Sequence, residues 1–486
     1  MKLSKMFAAA IAVVLGMSGC ARKTDTPTIT ILLRMMPAQE RFLRDEIVPA
    51  FEKEHDCKVQ IANFDNQWDI ERLLRLENEK KNPEIDIVKT PFEMTRVLVD
   101  KGYIQELTTV TDSPTAMQDL AEYHQLASGL GYIDGKPFYI PRKLESRILF
   151  YRKSMVADAI AKYAAHKQDI DTRLKALNGK GFPADYQLEA EPGEWDFFDL
   201  FAVGHIWANE TYNGVKMGRI AHRGAPYGGT ALFLIDRALQ LGASKEKILE
   251  FTADEVSEMF MWEHVFVKEG LYNMSMWQDK WKGSDIYNGI KDGKVFLAYL
   301  QQIDCFNVHG WEDDLGMPGY LPEKGDMGLA VVPQAVSLDL NDEGEPQISG
   351  SRAISTGGWW WGIPQTSSHK RIAYKLIRYI TNKENQANEC SKFGMIPVRK
   401  DLLANVPEVF EQGWVGDIYR TSVEQLKINE LTTVPLVENY ADVARRYVDA
   451  WQKLCIEYDE QKDGEMNVST MKMRLASDFA SSMETP

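Results

Sequence analysis

At 486 residues the chain exceeds what one hydrophobic core ordinarily serves, so two domains of about 200 residues each are expected. Acidic side chains outnumber basic ones by 71 to 56, a formal balance of −15; such a surface does not wrap a polyanion, which needs clustered Lys and Arg. Nucleic acid is therefore excluded as a partner, and beyond the first twenty residues no apolar run is long enough to predict a membrane-spanning helix.

The N-terminus carries targeting logic. Lys2 and Lys5 precede an apolar run over residues 7–17, too short to span ~30 Å of hydrocarbon, so residues 1–19 read as a signal peptide. Met17-Ser18-Gly19-Cys20 resembles the bacterial lipobox, with Met17 where Leu is usual. In that motif the thiol is lipidated and cleavage leaves Cys20 first. Residues 20–27 then form a lipidated tether in the cell envelope, facing the periplasm or the exterior, and losing Lys2 and Lys5 takes the balance to −17. Cys57, Cys305, Cys390 and Cys455 are widely spaced with no Cys-x-x-Cys pair, which leaves three complete pairings or free thiols open.

In chain order, residues 28–33 are β-branched and apolar, the pattern of a buried strand. Over residues 40–55, Phe42 or Leu43, Ile47 and Phe51 recur at four-residue spacing, which predicts an amphipathic helix kinked at Pro49. Residues 58–62 read as a strand, and about 68–80 as a helix ending near Asn82-Pro83. Residues 85–88 make a third strand, and 94–101 a helix stopped by Gly102. Strands alternating with helices predict parallel pairing with helices on both faces.

Asp134-Gly135-Lys136-Pro137 is a turn, and the extended segments 138–141 and 148–151 after it mark the first crossing between domains. Residues 160–192, charged and punctuated by Asn178-Gly179 and Glu191-Pro192-Gly193, read as a surface insertion. Helical patterns resume over 195–207, 230–241 and 253–268. Residues 293–300 read as a strand, and 310–326 and 339–351 as polar loops. Gly357-Gly358-Trp359-Trp360-Trp361 marks the return to the first domain. Residues 369–381 place Ile372, Leu376 and Ile380 on one stripe, with Ser367 or Ser368 able to cap the first turn, and 434–458 form a long amphipathic tail helix.

Several fragments stand in a familiar order. They are Phe51-Glu52-Lys53-Glu54-His55 before a strand, Pro83-Glu84-Ile85-Asp86-Ile87-Val88, and Gly102-Tyr103-Ile104-Gln105-Glu106-Leu107. Asp134-Gly135-Lys136-Pro137-Phe138-Tyr139-Ile140-Pro141 with Phe150-Tyr151-Arg152-Lys153, Glu194-Trp195-Asp196, Asp292-Gly293-Lys294-Val295 and Gly394-Met395-Ile396-Pro397-Val398-Arg399 follow. Over roughly residues 28–402 the chain thereby resembles the extracellular solute-binding proteins of bacterial ABC importers, the group that includes maltose-binding proteins. Arg152 stands where that family usually has Asn.

The resemblance implies an α/β, two-lobed periplasmic-binding-protein fold of type II, each lobe a mixed, mostly parallel sheet flanked by helices, with crossover segments as the hinge. Residues 28–145 plus 352–390 would form the N-terminal lobe, and 146–351 plus 391–486 the C-terminal lobe. It further implies a monomer that takes a small polar solute, a mono- or oligosaccharide, into the interlobe cleft, closes, and delivers it to ABC permease subunits. No cofactor, metal or catalysis is implied.

A sugar offers apolar C–H faces and hydroxyl edges, so its receptor needs flat aromatic walls and planar polar groups. Trp359 follows two glycines, whose missing side chains let backbone approach a ligand. In a strand Trp359 and Trp361 face one side and Trp360 the other. Gly358, Trp359 and Trp360 are assigned to the cleft and Trp361 to the core, with packing of all three as the alternative. Trp277 and Trp281 flank a polar stretch and are expected in the cleft or on one face of a short helix. Asp65 and Trp68 follow the second strand, where parallel sheets expose ligand sites; helix capping by Asn66 or Asp65 is the alternative.

The resemblance also places Arg34, at the end of the first strand, and Phe92, after the third, on the cleft wall. Arg142 and Glu145 lie just past the crossing. A guanidinium there would bridge two hydroxyls or bind a carboxylate or phosphate, which leaves an acidic sugar open. Ser-x-x-Lys at Ser244, Ser367 and Ser469 falls at helix starts or on a charged helix, and eight scattered His show no ligand spacing. A carbohydrate-active hydrolase and a sensor subunit for a histidine kinase are the alternative functions, separable by product formation and by genomic neighbours.

Overall fold

Nine strands of the computed structural model, which describes residues 26–66, 68–209, 211–212, 215–216, 219–310, 319–404, 413–429 and 432–479, make two sheets. They are β1 (Thr28–Leu33), β2 (Lys58–Asn63), β3 (Ile85–Pro91), β4 (Tyr139–Glu145), β5 (Arg147–Arg152), β6 (Arg219–Ala221), β7 (Val295–Gln301), β8 (Met327–Ala330) and β9 (Gly357–Gly362). The leader, Cys20 and most of the tether lie outside the described residues, as does much of the 310–326 loop.

The first sheet has the order β2-β1-β3-β9-β4 and the second β6-β7-β5-β8. Pairing is parallel where strand–helix–strand units build the sheet, between β1 and both β2 and β3, and between β6 and β7. It is antiparallel where the chain crosses: β9 against β3 and β4, and β5 against β7 and β8. The parallel share is therefore smaller than helix–strand alternation alone predicts, because the crossing strands re-enter each sheet in reverse.

Ser146 alone separates β4 in the first sheet from β5 in the second. Its N–H donates to Gln302 Oε1 at 3.1 Å, and Gln302 Nε2 donates to the Leu144 carbonyl at 3.3 Å. Asn429, at the end of the helix Gly413–Asn429, donates to Ser146 Oγ at 3.3 Å and accepts from Ile354 N–H at 3.0 Å. Buried amides thus join the outgoing crossing to the returning one, giving backbone in the dry interior the partners it would otherwise lose with water.

The helix around Pro49 is continuous from Pro37 to His55, with a π turn over Leu43–Ile47. The expected kink takes that form because Pro49 has no N–H to donate and its ring needs room in the preceding turn. Residues 160–178, expected within an insertion, instead belong to a helix running Lys153–Asn178. Its alanines and the pairs Lys162–Asp158 at 3.0 Å and Lys175–Asp171 at 2.7 Å favour helix, and Gly179 ends it at φ 76°.

The tail helix begins later than its pattern suggests, at Tyr440, and ends in a π turn over Gln452–Ile456. It lies on the second lobe, where Tyr447 donates to the Ile248 carbonyl at 3.0 Å and Trp451 Nε1 to Glu263 Oε2 at 3.1 Å. Ser367, not Ser368, accepts from the backbone at the start of helix Lys370–Ile380, taking the His369 N–H at 3.1 Å. Cys57, Cys305, Cys390 and Cys455 are all free and buried.

Candidate functional site

A cleft of about 420 Å³ opens between the two sheets, within the usual range for small-molecule sites. The first lobe supplies the ends of β1 and β3 (Arg34 to Pro37, Lys89, and Pro91 to Glu93), the end of β4 (Lys143 and Glu145), and the start of β9 (Gly357 to Trp359). The second supplies Arg223 after β6, Tyr227 beside the helix Gly228–Gln240, Lys282 and Tyr287 at the helix Gly283–Lys291, Gln301 at the end of β7 and Asp304 after it. Residues beyond the carboxyl ends of parallel strands are the ordinary ligand-binding positions of such sheets.

Trp359 is half-buried, and Lys89 Nζ stands 3.9 Å from its ring centre. The backbone requires the preceding glycine. Gly358 has φ 153°, and a Cβ there would clash with the Lys143 carbonyl oxygen and the Trp360 ring. Phe92 lines the same wall.

Charge dominates the rest of the lining: six basic side chains (Arg34, Lys89, Lys143, Arg147, Arg223, Lys282) against three carboxylates (Glu93, Glu145, Asp304). Lys143 pairs with Glu145, which also accepts from Gln301 Nε2 of the second lobe at 3.1 Å. Burial alone would raise the Glu145 carboxyl, but Lys143 and Lys89 outweigh it and hold it below its ordinary value. Arg223 donates to Asp304 at 2.9 Å, and Asp304 also accepts from the Tyr287 hydroxyl. Arg147 pairs with Asp236 and donates to the Ser355 carbonyl at 3.0 Å.

On the first-lobe wall Lys89 and Glu93 are strongly perturbed. Burial pushes Lys89 well below its ordinary value, and repulsion from Arg142 and Lys143 adds to this. Burial raises Glu93 to about 7.

Of the residues singled out from sequence, Arg34, Phe92, Glu145, Gly358 and Trp359 meet in this cleft. The others lie elsewhere. Trp360 is fully buried and its Nε1 donates to the Ala127 carbonyl at 2.9 Å. The register shift against β4 leaves β9 itself regular, since the extra residue is Arg142: Trp360 turns to the face opposite Trp359, against Phe92 and Ala127, and Trp361 is buried as well. Arg142 pairs with Glu389 inside the first lobe. It is the extra residue of a bulge on β4, and its guanidinium lies 5.9 Å from the Trp361 ring centre, outside the cleft lining.

Asp65 is exposed, and Trp68 lies half-buried with the Arg445 guanidinium 5.8 Å from its ring centre. Asn66, not Asp65, bonds the start of that turn, accepting from Trp68 N–H at 3.2 Å. Trp277 packs edge-on against Trp451 at 6.0 Å, and Trp281 lies against Gly289, so this pair joins the second lobe's packing. Sequence reasoning missed Lys89, Arg223, Tyr227, Lys282 and Asp304. A lysine inside the apolar run of β3 was the one visible signal.

Among the described residues no group of three or more His, Cys, Asp or Glu could hold a metal, and no helix is long and apolar enough to cross a membrane. The profile of the family described as bacterial extracellular solute-binding protein matches residues 46–413. This chain belongs to that family. It is an exported solute-binding protein, and its family is one of binding proteins.

Solved structures similar to this solute-binding protein share its fold at low identity. Maltose-bound MalE3 of T. maritima is 17% identical with a TM-score of 0.66, over 93% of this chain and 99% of that one. An ABC substrate-binding protein of Listeria monocytogenes in complex with cycloalternan is 15% identical with a TM-score of 0.67, over 95% and 100%. The fold is thus that of type II periplasmic binding proteins. A curated relative, the galactooligosaccharide-binding protein of Bacillus subtilis (strain 168), is 27% identical over 113 residues. That match spans 23% of this chain and only 25% of the relative's length.

Proposed function

We propose that this protein captures a saccharide between its lobes, closes on it, and presents it to the permease subunits of an ABC importer. The observation that carries this reading is one cleft lined from both lobes, with the Trp359 ring as a flat apolar platform among planar polar groups. A ligand touching both walls is bound more tightly by the closed form, and that differential contact drives closure. The names of the similar proteins, which bind maltose, cycloalternan and galactooligosaccharides, support a carbohydrate.

In this reading the ligand-binding set is Arg34, Phe92, Glu145, Gly358 and Trp359, joined by Lys89, Arg223, Tyr227 and Asp304. The lobes run 28–145 with 352–390, and 146–351 with 391–486. A lipid on Cys20 tethers a monomer to the membrane, and the protein binds without turning its solute over. A thermal-shift screen of sugars, sugar acids and polyols tests this, because a ligand bound only by the native state raises the unfolding temperature. A hit with no product after prolonged incubation is expected; release of a cleaved product would overturn the reading.

A further inference from the structure

The cations of the cleft divide into two groups. Lys143, Arg147 and Arg223 each have a carboxylate partner: Glu145, Asp236 and Asp304. Among the described residues no carboxylate pairs with Arg34, Lys89 or Lys282. These three converge from opposite walls. Lys89 Nζ donates to the Arg34 carbonyl at 2.6 Å, Lys282 Nζ stands 5.7 Å from the Tyr227 ring centre, and Arg34 and Tyr227 line the same cleft.

The unused hydrogen-bonding capacity has the same sign. In the cleft lining, the buried side-chain atoms without a partner are Gln39 Nε2 and Arg147 Nε, both donors, and Gln39 is only 2% exposed. A neutral sugar brings hydroxyls that donate as well as accept. A site with spare donors and spare positive charge is complementary to a group that only accepts and is negative. Desolvating unpaired cations without such a group is unfavourable, since a buried charge needs a partner.

We infer that the solute is an acidic saccharide, whose carboxylate or sulfate ester sits where Arg34, Lys89 and Lys282 converge around Tyr227. This rests on the saccharide-binding reading above and narrows it. The burial that depresses Lys89 in the empty cleft is opposed by an incoming anion, so binding draws a proton onto that amine.

The test is calorimetric titration of the intact exported chain with a panel of uronic-acid, sulfated and neutral oligosaccharides matched in size and linkage. An acidic member should bind at least about tenfold more tightly than its neutral counterpart, with affinity falling as salt rises. Uronate and sulfate arms identify the anionic group. Arg34→Gln and Lys282→Gln should each shrink the acidic-over-neutral ratio by about fivefold or more, while circular dichroism shows both variants folded. Neutral binding equal to or tighter than acidic binding overturns this inference and leaves the saccharide reading standing. Absence of binding across the whole panel overturns both.

Discussion

Deep in the second lobe, Glu263 accepts from Tyr272 at 2.8 Å and Trp451 at 3.1 Å, with Arg237 Nε at 3.2 Å and His222 Nε2 at 3.5 Å. The rings of Phe197, Phe233, Phe266 and Tyr299 surround the Arg237 guanidinium at 4.7–5.4 Å. Burial would raise Glu263, yet Arg237 and His222 outweigh it and hold the carboxyl below its ordinary value. In the cleft, Arg34, Lys89 and Lys282 have no such answer. A buried cluster with its own carboxylate fixes the scaffold, here by clamping the tail through Trp451; the buried Lys89, with the half-buried Arg34 and the exposed Lys282, leaves charge that a ligand can pair.

Breaking the closed cluster should have the largest effect. Glu263→Ala strands Arg237 without its carboxylate and should destabilise the fold by about 3–5 kcal/mol in chemical denaturation, with solute affinity of the folded fraction unchanged. Next in size is the pH dependence of Glu93. Its folded value is raised from 4.5 to about 7, so the folded state holds the proton that the unfolded chain releases. Its stabilising contribution is complete below pH 4.5 and is lost as pH rises through 7, by up to about 3 kcal/mol. Glu93→Gln should flatten that slope when unfolding temperatures of the two proteins are compared across the range; parallel slopes would refute it.

Smaller effects sharpen the contrast from the binding side. Trp359→Ala should weaken solute binding by about 2 kcal/mol, roughly 30-fold, and leave stability nearly intact, because the ring is half-buried at a cleft wall. Gly358→Ala should lower both stability and affinity by about 1–2 kcal/mol, since neither the backbone angle nor the Lys143 carbonyl tolerates a Cβ. Denaturation and calorimetry on the same preparations separate the two.

Much of the scaffold was legible because periodicity is local. The apolar run of β1, the alternation that follows it and the stripe of the helix Lys370–Ile380 each signal their element within a dozen residues. The helix Lys153–Asn178 was obscured by its charges, which pair along the helix and so favour the structure they seemed to argue against. Arg34 and Phe92, placed by the family resemblance, and Trp359, placed by the two glycines before it, line the cleft. Arg142 stands at the bulge of β4, where alternation no longer tells which way a side chain turns, and its charge is taken by Glu389. Trp360 lies on the face opposite Trp359, and a run of three identical side chains does not show which face meets the cleft. Arg223, Lys282 and Asp304 became neighbours of Arg34 only through the crossing at Ser146, a relation that no local pattern encodes.

The central claim is that two lobes share contacts with one guest and close around it. Solution X-ray scattering of the intact exported chain, with and without a saccharide found to bind it, tests that claim most directly. The account predicts a smaller radius of gyration in the bound sample. An unchanged radius at saturating saccharide would contradict it.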